Sequence, residues 1–511
     1  MSLLGVLASG GIAVPLCTAH PAKEQQYALD DSAPSALIAT SKFRSRAEEI
    51  RNAGGKPRLL HLDELPPQAK AVVEPKEVRV ELKETGWAET KRGALILYTS
   101  GTTNLPKGVV STHSSLAAQA SSLITAWEMT AADHLLHILP LHHVHGIVNA
   151  TLAPLMSGGT IEYLFPFSPS TVWSRLIAGV ARAHDPRKRE TISLFMAVPT
   201  IYNRLLSSLP LQPLEVQTSA AAAIRGLRLA ISGSAALPGS IRDGWHDLAG
   251  TALGGGTMLE RYGMTEIGMA LSNRPDSRID NAVGWPLPGV EVRLVDIESA
   301  AVITKPNVPG EIQIRGPTVF REYWNKPEAT AKEFVDGGWF VTGDVAARDA
   351  DGCYYIHGRR SVDIIKSGGE KVSALEVERE LLELPQVAEA AVMALPDNDW
   401  GQRVAAVVVL TERGKKENWA LGDMRNEMKR RIAAYKVPTV IKAVKEIKRN
   451  QMGKSMHSAK STPQSSLFRC SGYGGIEKLI PEQSTRRCWS RRLLPSTTYL
   501  NLTSSWLRSM W

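Results

Sequence analysis

A short loop between residues 98 and 110 limits what this 511-residue chain can fold into more than any other feature. It follows an apolar, strand-like run, Gly93-Ala-Leu-Ile-Leu97, and it carries two glycines, four Ser or Thr side chains and one lysine. Glycine N–H groups, hydroxyls and an ammonium group together suit the binding of a polyphosphate. The loop differs from a Walker loop, in which the lysine follows the glycine, because Lys107 precedes Gly108. The residues predicted to contact phosphates are Thr99, Ser100, Gly101, Thr102, Thr103 and Lys107.

The order of residues in this loop resembles a specific family signature. The segment Tyr98-Thr-Ser-Gly-Thr-Thr-Asn-Leu-Pro-Lys-Gly-Val109 is similar to the sequence Tyr-Thr-Ser-Gly-Thr-Thr-Gly-x-Pro-Lys-Gly-Val of adenylate-forming enzymes. The resemblance implies an α/β fold: a large layered α/β N-terminal domain and a smaller, mobile α+β C-terminal domain. Asn104 stands where the family has glycine, and asparagine adopts the left-handed conformation more readily than most residues.

Charge and cysteine content exclude several classes of function. The chain carries 60 basic and 51 acidic residues, but residues 455–511 alone hold eight basic and two acidic ones. The rest of the chain is therefore nearly neutral and shows no basic stripe with interleaved aromatic residues, so we predict no nucleic-acid partner. The four cysteines have no paired spacing, which argues against a disulfide framework or a zinc site. No apolar run approaches the ~20 residues of a membrane-spanning helix.

Two further segments match the family in order. Ser232-Gly-Ser-Ala-Ala-Leu-Pro238 follows the strand-like Leu227-Arg-Leu-Ala-Ile231, at a position where ligands bind in parallel sheets, although a plain tight turn would look the same. The segment Glu260-Arg-Tyr-Gly-Met-Thr-Glu266 combines an aromatic, a hydroxyl and a carboxylate. The resemblance implies that Tyr262 lies against adenine, Thr265 meets phosphate and Glu266 holds Mg²⁺. The nucleotide-binding candidates here are Gly233, Ser234, Glu260, Arg261, Tyr262 and Gly263.

Two later segments also match family motifs in the expected order, Trp339-Phe-Val-Thr-Gly-Asp344 and Gly358-Arg-Arg-Ser-Val-Asp363. A carboxylate such as that of Asp344 can accept both ribose hydroxyls, and Arg359 can donate to ribose and α-phosphate. Asp344 alone would equally suit a turn. The resemblance makes Asp363 the hinge between the two domains.

The composition changes after the hinge, and we predict three regions: 1–363, an AMP-binding N-terminal domain with a truncated front; 364–454, the C-terminal domain; and 455–511, a divergent and disordered tail. The segment Asn450-Gln-Met-Gly-Lys454 resembles the family's adenylation motif, which makes Lys454 the catalytic lysine. The Gly368-Gly369 loop would arrive at the site for the reaction with CoA. Glu370 stands where a tyrosine is usual, and its charge would repel the phosphates of CoA.

Three histidines cluster in Leu139-Pro-Leu-His-His-Val-His-Gly146. On a strand, His142 would face opposite to His143 and His145, and no carboxylate lies nearby in sequence, so a metal site is disfavoured. By resemblance, His143 and His145 lie at the acyl tunnel, and the His-x-His-Gly form is similar to the branch that handles malonate. Arg278 can bind the second carboxylate of such an acid bidentately, but a surface arginine is the alternative.

The sequence thus predicts an ATP-dependent acid–CoA ligase with ATP, Mg²⁺ and coenzyme A as cofactors and a small carboxylate as partner. The resemblance assigns catalysis to Lys454, Thr265, Glu266 and His143, cofactor binding to the phosphate and nucleotide candidates together with Asp344, Arg359, Gly368 and Gly369, and substrate binding to His145 and Arg278. A ligase for another short, medium or branched acid and an inactive remnant are the alternatives. The expected location is mitochondrial or cytoplasmic, and the oligomeric state is open.

Overall fold

The computed structural model describes residues 2–54, 56–62, 92–99, 106–181, 191–250, 256–360, 363–367, 370–397 and 399–447. The helices in this part of the chain are α1 (Ser2–Ala8), α2 (Ala22–Ser32), α3 (Arg44–Ala53), α4 (His113–Ala126), α5 (Ala153–Met156), α6 (Pro169–Ala181), α7 (Pro199–Ser208), α8 (Leu214–Arg225), α9 (Gly239–Ala249), α10 (Pro327–Ala331), α11 (Ala374–Leu382), α12 (Glu412–Lys416) and α13 (Leu421–Met428). None of these helices is both long enough and apolar enough to cross a membrane.

The strands of the described residues form five sheets. In chain order the strands are β1 (Ala36–Ala39), β2 (Arg58–His61), β3 (Gly93–Thr99), β4 (Lys107–Thr112), β5 (His134–His137), β6 (Thr160–Tyr163), β7 (Leu194–Ala197), β8 (Leu229–Ser232), β9 (Met258–Met264), β10 (Gly268–Ser272), β11 (Trp285–Pro286), β12 (Glu291–Val295), β13 (Val302–Ile303), β14 (Gly310–Arg315), β15 (Glu322–Tyr323), β16 (Phe334–Val335), β17 (Trp339–Arg348), β18 (Tyr354–Arg359), β19 (Ile364–Ser367), β20 (Glu370–Ser373), β21 (Val387–Asp397), β22 (Gly401–Leu410) and β23 (Val440–Ala443).

A seven-stranded sheet forms the centre of the large domain, in the order β11-β10-β9-β8-β7-β5-β6. Strands β6, β5, β7, β8 and β9 run parallel to one another, whereas β10 is antiparallel to both β9 and β11. Successive side chains of β5 enter different cores: Leu135 packs with Leu116 and Leu123 of α4, whereas Leu136 packs with Trp173 of α6 and Trp245 of α9. Because both faces are covered, the inner strands β5, β7 and β8 are buried at every position, as is typical of parallel sheets.

Two antiparallel sheets complete the large domain near the candidate site. The smaller has the order β15-β4-β3, and the larger has the order β13-β12-β14-β17-β16 with β18 paired to β17. The last residue of β4, Thr112, caps α4: its Oγ1 accepts a 3.0 Å hydrogen bond from the N–H of Ser115, and the Oγ of Ser115 accepts one of 2.9 Å from the N–H of Thr112. This capping box fixes where the chain turns from sheet to helix.

The described residues after 363 form a separate sheet, β20-β19-β22-β21 with β23 beside β22, and helix α11 packs on β21. Its apolar core runs from Ile365 to Ile441 and contains only residues of this region. The predicted arrangement of a large α/β body and a smaller α+β domain is therefore confirmed. The exact domain boundaries at 363 and 454 and the mobility of the smaller domain remain predictions, and the predicted tail, 455–511, lies outside the described residues.

Candidate active site

The loops that follow strands β8 and β9 lie side by side at one edge of the central sheet. Ser232 of β8 pairs with Glu260 of β9, and the two strands run in the same direction. Neighbouring parallel strands end at the same edge, where ligands bind in open α/β sheets. The structure therefore brings together the Gly233-Ser234 turn and the segment Glu260–Glu266, which the sequence predicted separately as nucleotide-binding elements.

Arg261 is a buried arginine with no carboxylate partner among the described residues. Its Nη2 donates a 3.0 Å hydrogen bond to the Oγ of Ser234, and its buried Nε has no partner there. Gly233 lies directly against the guanidinium, because a Cβ atom at this position would come within 2.4 Å of the Arg261 Nε. Burial lowers the pKa of Arg261 to about 9. A buried cation in this environment is stabilised by an anion that a ligand supplies.

His145 lies near this guanidinium. Burial lowers the pKa of His145 well below its usual value, and the positive charge of Arg261 lowers it further. In the described part of the chain neither ring nitrogen of His145 has a hydrogen-bond partner. A neutral imidazole can donate from one of its two nitrogens. His145 and Arg261 together therefore suit a ligand rich in acceptor oxygens, such as a carboxylate.

The histidine segment is not a strand, contrary to the sequence-based argument about alternating side chains. It forms a turn that leads into a π-helical segment, His145–Leu152. The backbone packs so closely in this turn that a Cβ atom on residue 146 would lie 2.1 Å from the carbonyl oxygen of Pro140, which explains the glycine at this position. The ring of His143 lies 4.1 Å from that of His142. The described residues contain no group of three His, Cys, Asp or Glu side chains that could hold a metal ion.

Asp344 joins the two motifs that the sequence predicted for the ribose. It is buried, its Oδ2 accepts a 2.6 Å hydrogen bond from the Tyr262 hydroxyl, and its Oδ1 accepts one of 3.0 Å from the Arg359 Nε. The antiparallel pairing of β17 with β18 places Asp344 opposite Arg359. Burial alone lowers the pKa of Arg359, but the charge of Asp344 raises it overall. The carboxylate is thus oriented before any ligand binds, as the recognition of a diol requires.

Glu266 is the second oriented carboxylate of the site. It is buried, and its Oε1 accepts a 3.0 Å hydrogen bond from the hydroxyl of Tyr323. The Nζ of Lys107 lies 4.4 Å from the centre of the Tyr323 ring and 3.4 Å from Oε1 of Glu333. Thr265 is half-buried in the turn between β9 and β10, beside Glu266. Oxygen donors of this type fit Mg²⁺, which takes one or two carboxylates in addition to substrate phosphates.

The structure places Glu260 and Arg278 in a different cluster. Alternation along β9 points Glu260 away from its neighbour Arg261. Burial raises the pKa of Glu260 to about 7, whereas the charges of Arg379, Arg242 and Arg278 act in the opposite direction. The Nη2 of Arg278 is 2.8 Å from Oδ1 of Asp280, a carboxylate that also lies 3.6 Å from Arg242, whereas the buried Nε of Arg278 has no partner among the described residues. This geometry favours Arg261 over Arg278 as the group that meets a substrate carboxylate.

Asp363 closes the turn between β18 and β19. Its Oδ2 accepts a 2.9 Å hydrogen bond from the N–H of Arg359, and its carbonyl oxygen accepts one of 2.7 Å from the N–H of Ala374. Thr99, at the end of β3, donates a 3.5 Å hydrogen bond to the Lys107 carbonyl. The remaining predicted residues of the phosphate loop (Ser100, Gly101, Thr102 and Thr103), the CoA loop (Gly368 and Gly369) and Lys454 lie outside the described residues.

Two residues near the predicted site were not found from the sequence, Tyr323 and Glu333. Their partners, Glu266 and Lys107, are 57 and 226 residues away along the chain. Neither residue belongs to a motif with a defined spacing, so the sequence carries no local signal for them.

Two family models match the chain. The AMP-binding enzyme family matches residues 1–324, and the AMP-binding enzyme C-terminal domain matches residues 376–454. The first match covers more than half of the chain, and the second lies within the predicted smaller domain.

The chain is also similar to several individual proteins. It is 45% identical over 501 residues to a CoA ligase of Gibberella moniliformis, with 89% of this chain and 81% of that protein covered. It is 43% identical over 469 residues to the mitochondrial malonate–CoA ligase of Homo sapiens, covering 87% of this chain and 77% of the relative. The crystal structure of ATP-bound MatB from Rhodopseudomonas palustris superposes with a TM-score of 0.73 at 32% identity, covering 91% of this chain and 85% of MatB.

Proposed function

The chain belongs to the AMP-binding enzyme family, and from this membership we propose that it is an ATP-dependent acid–CoA ligase whose acid is malonate. The observation that carries the choice of acid is Arg261, a buried guanidinium without a carboxylate partner in the described part of the chain. A mitochondrial location is proposed as well, because the human relative is named as a mitochondrial protein.

An uncharged acid would leave Arg261 without an anion in a buried site. Burying an unpaired charge is costly, so a site that binds only butyrate or a branched fatty acid would gain from an apolar residue at position 261. Malonate offers one carboxylate for reaction and a second for recognition. The second carboxylate can accept two parallel hydrogen bonds from the Arg261 guanidinium and one from His145.

In the first half-reaction, the reacting carboxylate of malonate attacks the α-phosphate of ATP, which gives malonyl-adenylate and pyrophosphate. We assign the ribose to Asp344 and Arg359, the adenine to the face of Tyr262, and the β- and γ-phosphates to Lys107 and the loop that precedes it. Negative charge on the α-phosphate is stabilised by Thr265 and Lys454. His143 lines the path of the acid to this point.

Mg²⁺, when bound, neutralises phosphate charge and orients the departing pyrophosphate. Glu266 is the residue that would hold it, because its carboxylate is buried and its Oε1 is oriented by the Tyr323 hydroxyl. The adjacent Lys107 adds a second positive charge for the same phosphates.

In the second half-reaction, the thiol of CoA attacks the carbonyl carbon of malonyl-adenylate, and AMP leaves. We propose that the smaller domain rotates about Asp363 between the two steps, so that Lys454 leaves the site and the Gly368-Gly369 loop enters it. The Asp363 side chain accepts a hydrogen bond from the backbone of Arg359, in the large domain, and its carbonyl oxygen accepts one from the backbone of Ala374, in the smaller domain. Asp363 thus contacts both domains, as a hinge residue does.

Acid-dependent exchange of radioactive pyrophosphate into ATP tests the first step without CoA. We expect malonate to support exchange with a higher kcat/KM than acetate, propionate or butyrate, and subsequent addition of CoA to yield malonyl-CoA. Exchange with butyrate in preference to malonate would overturn the choice of acid, and absence of exchange with every acid would overturn the assignment of ligase activity to this chain.

A further inference from the structure

Tyr323 lies between the two charged groups assigned to the nucleotide phosphates. It is the second residue of β15, which pairs with β4 so that Tyr323 is opposite Val109. Strand β4 begins with Lys107, and the N–H of Trp324 donates a 2.7 Å hydrogen bond to the carbonyl of Gly108. The backbone of Tyr323 is thereby fixed to the strand that carries the phosphate-binding lysine.

The side chain of Tyr323 is also held in place. Tyr323 is 4% exposed, and its ring centre lies 4.9 Å from that of Phe320, which in turn packs on Phe334 and Phe340. Close packing of this kind leaves the ring a single orientation. The packing requires an aromatic ring at this position but gives no reason for a hydroxyl, because phenylalanine would fill the same space.

The hydroxyl has a specific partner in Glu266. It donates a 3.0 Å hydrogen bond to Oε1, and the N–H of Phe320 donates one of 2.7 Å to the Glu266 carbonyl oxygen. The segment from Phe320 to Tyr323 therefore holds Glu266 by both its side chain and its backbone. One carboxylate oxygen is occupied, and the direction of the other is fixed as a result.

The face of the same ring holds Lys107. The Nζ atom lies 4.4 Å from the ring centre, within the distance at which a cation is attracted to an aromatic face. The second contact of Lys107 is anionic, because its Nζ also lies 3.4 Å from Oε1 of Glu333. Glu333 competes with phosphate for the lysine, whereas the neutral ring attracts the lysine without repelling a phosphate.

We propose that Tyr323 is a positioning residue for nucleotide binding, which sets the Glu266 carboxylate with its hydroxyl and the Lys107 ammonium with its ring so that both face the ATP phosphates and their Mg²⁺. This inference rests on the proposed function, because it assumes that the phosphates lie between Lys107 and Glu266. Removal of the hydroxyl therefore affects binding of magnesium-bound triphosphate and spares the binding of AMP through Asp344.

The test is Tyr323→Phe, measured by titration calorimetry without any acid. We expect the Kd of MgATP to rise about tenfold to a hundredfold, the scale for a hydrogen bond to a charged group, and half-maximal ATP binding to need more free Mg²⁺. AMP in the presence of EDTA should bind as it does to the unmodified protein. Tyr323→Leu, which removes both the hydroxyl and the ring face, should weaken MgATP binding further.

Tyr355→Phe is the matched control, because the Tyr355 hydroxyl also bonds to a carboxylate, Oδ2 of Asp349, at 3.2 Å. It should change neither MgATP nor AMP binding. Unchanged MgATP affinity and magnesium dependence in Tyr323→Phe, or equal losses for AMP and MgATP, would overturn the positioning role. Because no acid is present, a protein that fails to activate malonate but binds nucleotide still gives a result for Tyr323.

Discussion

The hydroxyl of Tyr262 donates a 2.6 Å hydrogen bond to Oδ2 of Asp344, which lies 82 residues further along the chain. This bond links β9 of the central sheet to β17 of the antiparallel sheet. Arg359 holds the other carboxylate oxygen at 3.0 Å. The nucleotide site is therefore assembled from two sheets, and its acidic group is fixed from both sides.

Asp344→Asn should weaken nucleotide binding. The amide accepts hydrogen bonds through one atom only and carries no charge, so it can neither receive both ribose hydroxyls nor balance Arg359. We expect the Kd of AMP to rise by about tenfold or more, on the scale of hydrogen bonds to charged groups. Titration of AMP measures this. Asp336→Asn, at an exposed turn next to the same sheet, is the control, and equal affinity in the two variants would remove Asp344 from the site.

Lys454→Ala should separate the two half-reactions. The lysine acts only while the α-phosphate is under attack, so malonate-dependent pyrophosphate exchange should be lost. Formation of malonyl-CoA from chemically prepared malonyl-adenylate should continue, because the domain rotation takes the lysine away from that step. Equal losses in both assays would contradict this division of roles.

Glu260→Gln should change how stability depends on pH. Burial raises the pKa of Glu260 from 4.5 to about 7, against the effect of Arg379, Arg242 and Arg278. Between these values the folded chain keeps a proton that the unfolded chain has lost, so stability falls as pH rises, by up to about 3 kcal/mol. The variant lacks this titration. As the pH rises from 4.5 to 7, the Tm of the unmodified protein should therefore fall relative to the Tm of the variant.

Glu215→Gln, an exposed glutamate on α8, provides the comparison for this pH experiment. Its Tm profile should run parallel to that of the unmodified protein over the same range. If the Glu260→Gln profile is equally parallel, the carboxyl of Glu260 is not desolvated in the way that its position among buried side chains implies.

The layered fold was predictable because its cause is local. Apolar strands between amphipathic helices, such as the run Leu227–Ile231 before a small-residue turn, specify a parallel sheet covered on both faces. The resemblance of the motifs also assigned Tyr262, Asp344 and Arg359 to the same nucleotide. It did not give the hydrogen bonds between them, since these depend on how β17 and β18 pair and on how that sheet packs beside β9.

The proposal of Arg261 in place of Arg278 as the substrate-binding arginine depends on information that the sequence does not carry. Arg278 and Arg261 are the same residue type, and only burial and partners distinguish them. Arg278 lies 2.8 Å from Asp280, an acidic residue two positions further along, and this spacing was a signal available in the sequence. The sequence contains no such signal for the missing carboxylate partner of Arg261, because that property depends on every side chain that the fold brings near it.

Gly233→Ala offers a way to disturb Arg261 without changing its charge. A Cβ atom at position 233 would lie 2.4 Å from Nε and 2.6 Å from Cζ of Arg261, so the guanidinium must move. We regard this variant as a companion to direct substitution, because it alters the position of the charge and leaves the charge itself in the site.

The sharpest prediction compares Arg261→Met with Arg278→Met, since methionine keeps much of the volume and removes the charge. If Arg261 binds the second carboxylate of malonate, Arg261→Met should lower kcat/KM for malonate by about 2–5 kcal/mol in transition-state terms, the scale for removing one partner of a buried charge pair. Butyrate never uses the pair, so its rate should stay level or rise.

Arg278→Met should leave the ratio between the two acids unchanged, because that arginine is already paired with Asp280. A shift in the ratio with Arg278→Met alone would return the substrate role to Arg278. Equal losses for both acids in both variants would remove the malonate assignment, while ligase activity itself would stand.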